Sequence, residues 1–267
     1  MDIASLFRLD GRVAVVTGGS RGIGRMIAEG LLSAGCARVY ITARKAAVVE
    51  NTARELGERC IALPGDISTL EGIETLVADL SAREEKLDIL INNAGVAWGA
   101  SFDRFPEGGW DKVMALNVKT PFFLTQKLHP LLIAAAHPDR PAKVINIASV
   151  DGMKINPWET YSYQASKAAL LQLTRRVAAR LVRDNIVMSA IAPGFFPSEM
   201  NKAADRNPEA AAASIPIGRL GLPRDMAAGA VYLASRAGDY VVGSALTIDG
   251  GLVNADIADT FPDPSGH

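Results

Sequence analysis

The sequence predicts an α/β fold in one domain: a doubly wound parallel sheet with helices on both faces. Two observations predict it. Short runs rich in Val and Ile recur along the chain, and longer amphipathic stretches separate them. Strands that are apolar on both faces lie buried between two helical layers, which is the patterning of parallel sheets. The 267 residues, 49% of them hydrophobic, suffice for one such core, and no linker, repeat or second core divides them.

Residues 12–17 (RVAVVT) read as the first buried strand, and a glycine-rich turn leads into a helical pattern over about 22–34. Strand 38–42 (RVYIT), helix 45–56 and short strand 60–63 follow. Residues 70–84 are helical, 87–92 (LDILIN) form a strand ending in polar residues, and one long helix covers about 110–135. Strands at 143–148 (KVINIA), 185–192 (NIVMSAIA) and 244–248 (SALTI) complete the sheet, with helices near 160–183 and 223–235. Right-handed crossovers turn this alternation into a doubly wound sheet. Segment 195–215 breaks the pattern; after a strand's carboxyl end it reads as short surface helices or as a lid. The tail from 255 onward, rich in Pro, Asp and Gly, is expected to be loosely ordered.

A net charge of −1 with no basic block excludes an electrostatic nucleic-acid binder. The first residues, MDIASLFRLDGR, lack the apolar core of a signal peptide, and no apolar run approaches the roughly 20 residues that span a bilayer. Cys36 and Cys60 are too isolated for a disulfide framework. A soluble cytoplasmic protein is expected. His129, His137 and His267 stand apart from every motif, and no metal-ligand spacing is present, so no metal is expected.

Chemistry enters at 17-TGGSRGIG-24. Gly18, Gly22 and Gly24 allow a tight turn, close backbone approach to a pyrophosphate and free amides at a helix N-terminus. Ser20, Arg21 and Ile23 belong to the same cradle. A protein that binds the ribose 2′-hydroxyl of NAD places an acid about 20 residues further on. Here 41-ITARK-45 has Ala43 at that place, followed by Arg44. Arg44 with Arg21 suits a 2′-phosphate, so NADP(H) is the expected cofactor. Asp66 and Ile67 after the third strand, and Asn93, Ala94 and Gly95 after the fourth, face the same crevice; an adenine and ribose contact or an ordinary turn are both open for each.

In 161-YSYQASK-167, Tyr163 and Lys167 are four apart and share one helix face, whereas Tyr161 falls off it. Reducing a ketone takes a hydride at carbon and a proton at oxygen, and the Tyr163 phenol can supply that proton. Lys167 and a positive nicotinamide would favour phenolate; lowering its pKa by roughly three units corresponds to about 4 kcal/mol. Ser149, directly after the strand KVINIA, is placed to donate to the carbonyl oxygen or simply to cap a turn.

TGGSRGIG, NNAG at 92–95, Asn117, Ser149, Tyr163-x-x-x-Lys167 and PG at 193–194 occur in that order over nearly the whole chain. Together they resemble the short-chain dehydrogenase/reductase family, a Rossmann fold. IPIGRLGLP at 215–223 and IDGG at 248–251 resemble its 3-oxoacyl-acyl-carrier-protein reductase branch, the rhamnolipid-biosynthesis type in particular. The resemblance implies that Ser149 and Tyr163 are catalytic partners and that Lys167 also binds nicotinamide ribose. It implies that Asn117 holds a relay water; the sequence alone leaves a satisfied buried amide equally open. Pro193, Gly194, Phe196 and Ser198 would hold the nicotinamide carboxamide, with Ser in place of the commoner Thr. A homotetramer, or a dimer, is expected from the same resemblance.

Trp98, Met153, Trp158, Phe195 and Met200 are bulky candidates for the pocket wall, with core packing the alternative for each. They suit an apolar ketone. The expected activity is therefore NADPH-dependent reduction of a 3-oxoacyl thioester or similar carbonyl. An alcohol, steroid or polyol dehydrogenase working oxidatively is the alternative, and a non-catalytic dinucleotide sensor is the alternative from another class.

Overall fold

Burial on both faces is what the Val/Ile runs require, and every one of them becomes a strand within two residues of its expected ends. The computed structural model describes residues 2–197 and 207–256. Its strands are β1 (Val13–Thr17), β2 (Arg38–Ala43), β3 (Cys60–Pro64), β4 (Ile89–Asn92), β5 (Ala142–Ile147), β6 (Ile186–Pro193) and β7 (Ala245–Ile248). They form one sheet in the order β3-β2-β1-β4-β5-β6-β7, and every neighbouring pair is parallel. Every residue of β1, β4, β5 and β6 is buried, the signature of central parallel strands.

The helices are α1 (Gly22–Ser33), α2 (Ala46–Leu56), α3 (Leu70–Ser81), α4 (Glu107–Met114), α5 (Thr120–Ala135), α6 (Tyr161–Leu181), α7 (Pro208–Ala213) and α8 (Pro223–Ala234). One core layer joins Val16, Ile41 and Ile91 of the sheet to Ile27, Leu31, Met226 and Leu233 of α1 and α8. The other joins Val15, Leu90, Val144 and Met188 to Leu76, Leu124 and Leu128 of α3 and α5. Each such side chain contributes about 1.5–3 kcal/mol by leaving water. Strand order reverses between β1 and β4, which opens a crevice at the carboxyl ends of the strands. The chemistry-bearing motifs all emerge there.

One expected helix is divided. In place of a single helix over 110–135, a π-helical turn at Ala115–Lys119 separates α4 from α5. The Thr120 N–H reaches back five residues to the Ala115 carbonyl, where the Thr120 hydroxyl also bonds. Pro121 has no N–H to give Asn117 four residues before it, so the regular ladder cannot run through this point. Asn117 sits in the widened turn.

A buried polar chain pins the middle of the sheet to both helices of one layer. Asn92 Nδ2 donates to Asn146 Oδ1 (2.8 Å) and Thr125 Oγ1 (3.2 Å), and Asn146 Nδ2 donates to Thr174 Oγ1 (2.9 Å). Cys36 and Cys60 are buried, and burial pushes their thiols up to about 12 and about 11, so neither is a reactive thiolate. Among the described residues no helix is long and apolar enough to cross a membrane, and no cluster of His, Cys, Asp and Glu could hold a metal ion. The polar chain gives a stability test. Asn146→Ala removes two buried hydrogen bonds at once and should cost about 1–3 kcal/mol in urea unfolding. A loss below about 0.5 kcal/mol would show that water replaces the lost amide.

Candidate active site

The glycine turn lies where β1 ends, and crowding explains its composition. Gly18 and Gly22 have φ of 65° and 51°, and a Cβ on Gly24 would lie 2.3 Å from the Gly18 carbonyl oxygen. That contact is backbone, so it cannot yield cheaply. Arg21 occupies the N-cap of α1 and no side chain caps the helix, which leaves first-turn amides facing the crevice without a side-chain acceptor. Ser20 is buried, its carbonyl accepting from Thr52 Oγ1. Ile23 packs on the core.

The turn is stitched to the fourth strand. Thr17 Oγ1 accepts from the N–H groups of Asn93 and Ala94, both at 2.9 Å, and donates to the Ile91 carbonyl. Asn93 Nδ2 donates back to the Thr17 carbonyl at 2.7 Å. The sequence alone does not mark Thr17 as a site residue. Its signal was a hydroxyl at the carboxyl end of β1, beside the strand that carries NNAG.

Arg44 is exposed just past β2, and its charge contributes to holding the Asp66 carboxyl below the usual range. The larger cause is hydrogen bonding from Ser68, whose N–H donates to Asp66 Oδ1 at 3.0 Å. Asp66 thus forms the turn that the sequence left open, with Arg44 close by. Ile67 is buried, and its carbonyl accepts from Thr120 Oγ1.

Tyr163, Lys167 and Ser149 come together beneath this crevice. Lys167 Nζ lies 5.5 Å from the Tyr163 ring centroid, as the four-residue spacing requires, and donates to the Ile147 carbonyl at 2.7 Å. Burial pushes the ammonium down to about 8, against an opposing pull from Asp151. The expected depression of Tyr163 is reversed among the protein's own groups. Burial, aided by the Asp151 charge, pushes the phenol up to about 12, while a hydrogen bond from Ser149 pulls the other way. Burial therefore outweighs the Ser149 hydrogen bond. Ser149 caps a single turn at Val150–Gly152, and its Oγ accepts from the Asp151 N–H at 3.1 Å. Asp151, two residues after Ser149, was missed in the sequence; its own carboxyl is raised by burial.

Asn117 Oδ1 accepts from the Val96 N–H, and its Nδ2 donates to the Val96 carbonyl and to Ser166 Oγ. The side chain is thus a satisfied buried amide. It also sits at the site: a Cβ on Gly95 would lie 3.2 Å from Asn117 Oδ1 and 3.7 Å from Lys167 Nζ.

A family model described as enoyl-(acyl carrier protein) reductase matches residues 18–253. The chain belongs to the short-chain dehydrogenase/reductase family. It is 49% identical over 251 residues to the rhamnolipids biosynthesis 3-oxoacyl-[acyl-carrier-protein] reductase of Pseudomonas aeruginosa, covering 92% of this chain and 98% of that protein. The structure of the Pseudomonas aeruginosa RhlG/NADP active-site complex superposes with a TM-score of 0.90 at 48% identity, covering 93% of this chain and 98% of that one. A 2-dehydro-3-deoxy-D-gluconate 5-dehydrogenase of Dickeya dadantii is 38% identical over 259 residues, covering 93% of this chain and 98% of that protein.

Pro193 ends β6, the Gly194 N–H donates to the Ile248 carbonyl, and Phe196 is buried against the core. Ser198 and Met200 lie outside the described residues. Trp158 and Phe195 meet edge to face with centroids 5.8 Å apart, and Met153 is exposed nearby in sequence. Trp98 keeps its packing alternative: its indole lies against Gly109 of α4, with Lys112 Nζ 5.6 Å from the ring. The crowding at Gly24 generates a test. Gly24→Ala should weaken NADPH binding at least tenfold in a fluorescence titration, with helical content unchanged by circular dichroism. Unchanged affinity would mean that the turn relaxes around the methyl.

Proposed function

We propose that the protein is an NADPH-dependent reductase of a 3-oxoacyl thioester or similarly apolar ketone. The observation that carries the reading is the convergence of Ser149, Tyr163 and Lys167 beside the glycine cradle. NADPH supplies the hydride that reaches the carbonyl carbon. Tyr163, protonated across the physiological range, donates the proton to the carbonyl oxygen. Ser149 accepts from the Asp151 N–H, and its own hydroxyl hydrogen, which bonds the Tyr163 phenol in the unliganded protein, turns to steady the developing alkoxide. Lys167 holds its positive charge under the phenol as phenolate forms, and one of its N–H groups is committed to Ile147. Its other two can reach ribose hydroxyls and a water at Asn117. Asn117 keeps Val96 and the segment beyond it in register.

Residues at the mouth of the crevice fit the dinucleotide by chemistry. The backbone at Gly18, Ser20, Gly22, Ile23 and Gly24 meets pyrophosphate, and Arg21 and Arg44 meet the 2′-phosphate. Asp66 and Ile67 face adenine, and Asn93, Ala94 and Gly95 face ribose. Pro193, Gly194, Phe196 and Ser198 hold the nicotinamide amide. Met153, Trp158, Phe195, Met200 and Trp98 are the pocket-wall residues that this reading assigns, and segment 195–215, of which 198–206 lie outside the described residues, is its lid. The 3-oxoacyl-[acyl-carrier-protein] reductase of Pseudomonas aeruginosa and the RhlG/NADP complex support the 3-oxoacyl substrate and NADP.

The protein assembles as a homotetramer in the cytoplasm. Exposed Phe122 of α5 beside Leu173 and Val177 of α6 supports pairing between copies, and two buried unpaired thiols suit a reducing compartment.

With a 3-oxoacyl thioester, NADPH should be oxidised at least tenfold faster than NADH; equal rates would remove the role given to Arg44. Tyr163→Phe should lower kcat by about 10²–10⁴, while NADPH affinity stays within about twofold. Tyr161→Phe should keep most of the activity. A lethal Tyr161 change with a tolerated Tyr163 change would overturn the assignment.

A further inference from the structure

Tyr161, the second tyrosine of YSYQASK, is absorbed by no step of the reaction, yet its surroundings are organised. Two walls lead outward from Lys167. One is the segment from Gly95 to Phe102; the other is the loop from Met153 to Thr160, which runs into α6. They meet at Glu159. The Glu159 carbonyl accepts from the Ala100 N–H at 3.2 Å, and its Oε1 accepts from the Phe102 N–H at 3.1 Å and from the Tyr161 hydroxyl at 3.2 Å. The walls approach closely enough that a Cβ on Gly99 would lie 3.7 Å from Thr160 Cγ2 and 3.8 Å from the Glu159 carbonyl oxygen. The Tyr161 ring adds an apolar half. It stands edge-on to Phe102 at 5.8 Å and to Phe105 at 5.7 Å, in the geometry that aromatic pairs prefer. Glu159 and Tyr161 are both exposed, so burial of their own surface does not explain the arrangement.

We propose that Glu159 is a positioning residue for substrate, a latch that with Tyr161 fixes the width of the entrance between the two walls. One wall carries Val96, tied to Asn117, and Trp98; the other carries Trp158, paired with Phe195. Spreading them would leave Tyr163 and Lys167 in place, because those are held within α6 and by Ile147. The latch acts on how the ketone is presented, not on the proton transfer. The proposal rests on the reductase reading for its substrate, and on nothing but the fold for the contacts themselves.

The experiment compares Glu159→Ala, Glu159→Gln and the unchanged protein in two measurements. In steady-state reduction of a 3-oxoacyl thioester by NADPH, Glu159→Ala should raise the KM for the thioester about tenfold, the scale of one lost charge-assisted hydrogen bond. Its kcat and its KM for NADPH should stay within about twofold. Glu159→Gln, whose amide oxygen still accepts, should stay near the unchanged protein. In hydrogen exchange, the Phe102 amide should exchange at least tenfold faster in Glu159→Ala and stay protected in Glu159→Gln, with the Ala100 amide, bonded to the Glu159 backbone carbonyl, as the internal reference. Faster exchange with an unchanged KM would confine Glu159 to a structural role and overturn the proposal. Equal damage from Ala and Gln would replace the latch by a charge effect, and unchanged exchange would remove the latch itself. No thioester turnover by the unchanged protein would instead defeat the reductase reading, while the exchange measurement still decides whether the latch exists.

Discussion

A lysine ammonium that is only 4% exposed must find partners or lose its proton, and Lys167 does some of both. The Ile147 carbonyl takes one N–H, Asp151 supplies an opposing charge, and burial still draws the group down to about 8. The rest of the site is arranged around this cation. Gly95 lies so near that a Cβ there would press on Asn117 Oδ1 at 3.2 Å and touch Nζ at 3.7 Å. The turn after β5 folds tightly enough against α6 to set Ser149 and Asp151 beside the same cation and phenol. Four residues earlier on the helix, Tyr163 is carried to within reach of both.

The same burial separates the roles of the two titrating groups. It raises the phenol and lowers the ammonium, so that at neutral pH the tyrosine is an acid and the lysine is a charge. That polarity suits proton donation to a carbonyl oxygen. Asp151 sharpens it by favouring both protonated forms. The glycine cradle is a separate construction at the end of β1, and Thr17 with Asn93 couples it to the segment that passes Lys167. Three hydrogen bonds thereby hold the glycine turn in register with the segment that leads to the proposed proton donor.

Much of this was legible in the chain. Val/Ile runs with flanking helices report a parallel sheet because such strands have no solvated face, and the i, i+4 spacing selects Tyr163 over Tyr161 because helix geometry is local. What escaped depended on contacts between distant segments. The π-helical turn at Asn117 arises from Pro121 together with the Thr120 hydroxyl bonding to Ile67, about fifty residues away. Thr17, Asp151 and Glu159 look like ordinary polar residues until the fold brings β4, α6 and their loops together. The upward push on Tyr163 among the protein's own groups is hidden for a related reason: the sequence shows the neighbouring charge, but the extent of burial appears only in the packed structure.

Proton transfer in this site depends most directly on the charge of Lys167. The measurement is kcat/KM for ketone reduction at saturating NADPH, followed from pH 6 to pH 10.5. With the phenol raised to about 12 and the ammonium lowered to about 8, the proton donor persists across the range while the positive charge beneath it is lost. The rate constant should be level at low pH and fall with a midpoint near 8, about tenfold per pH unit beyond it. A profile that stays level to pH 10 would contradict the account, because it would mean that the buried ammonium keeps its ordinary pKa or that its charge does not assist the transfer.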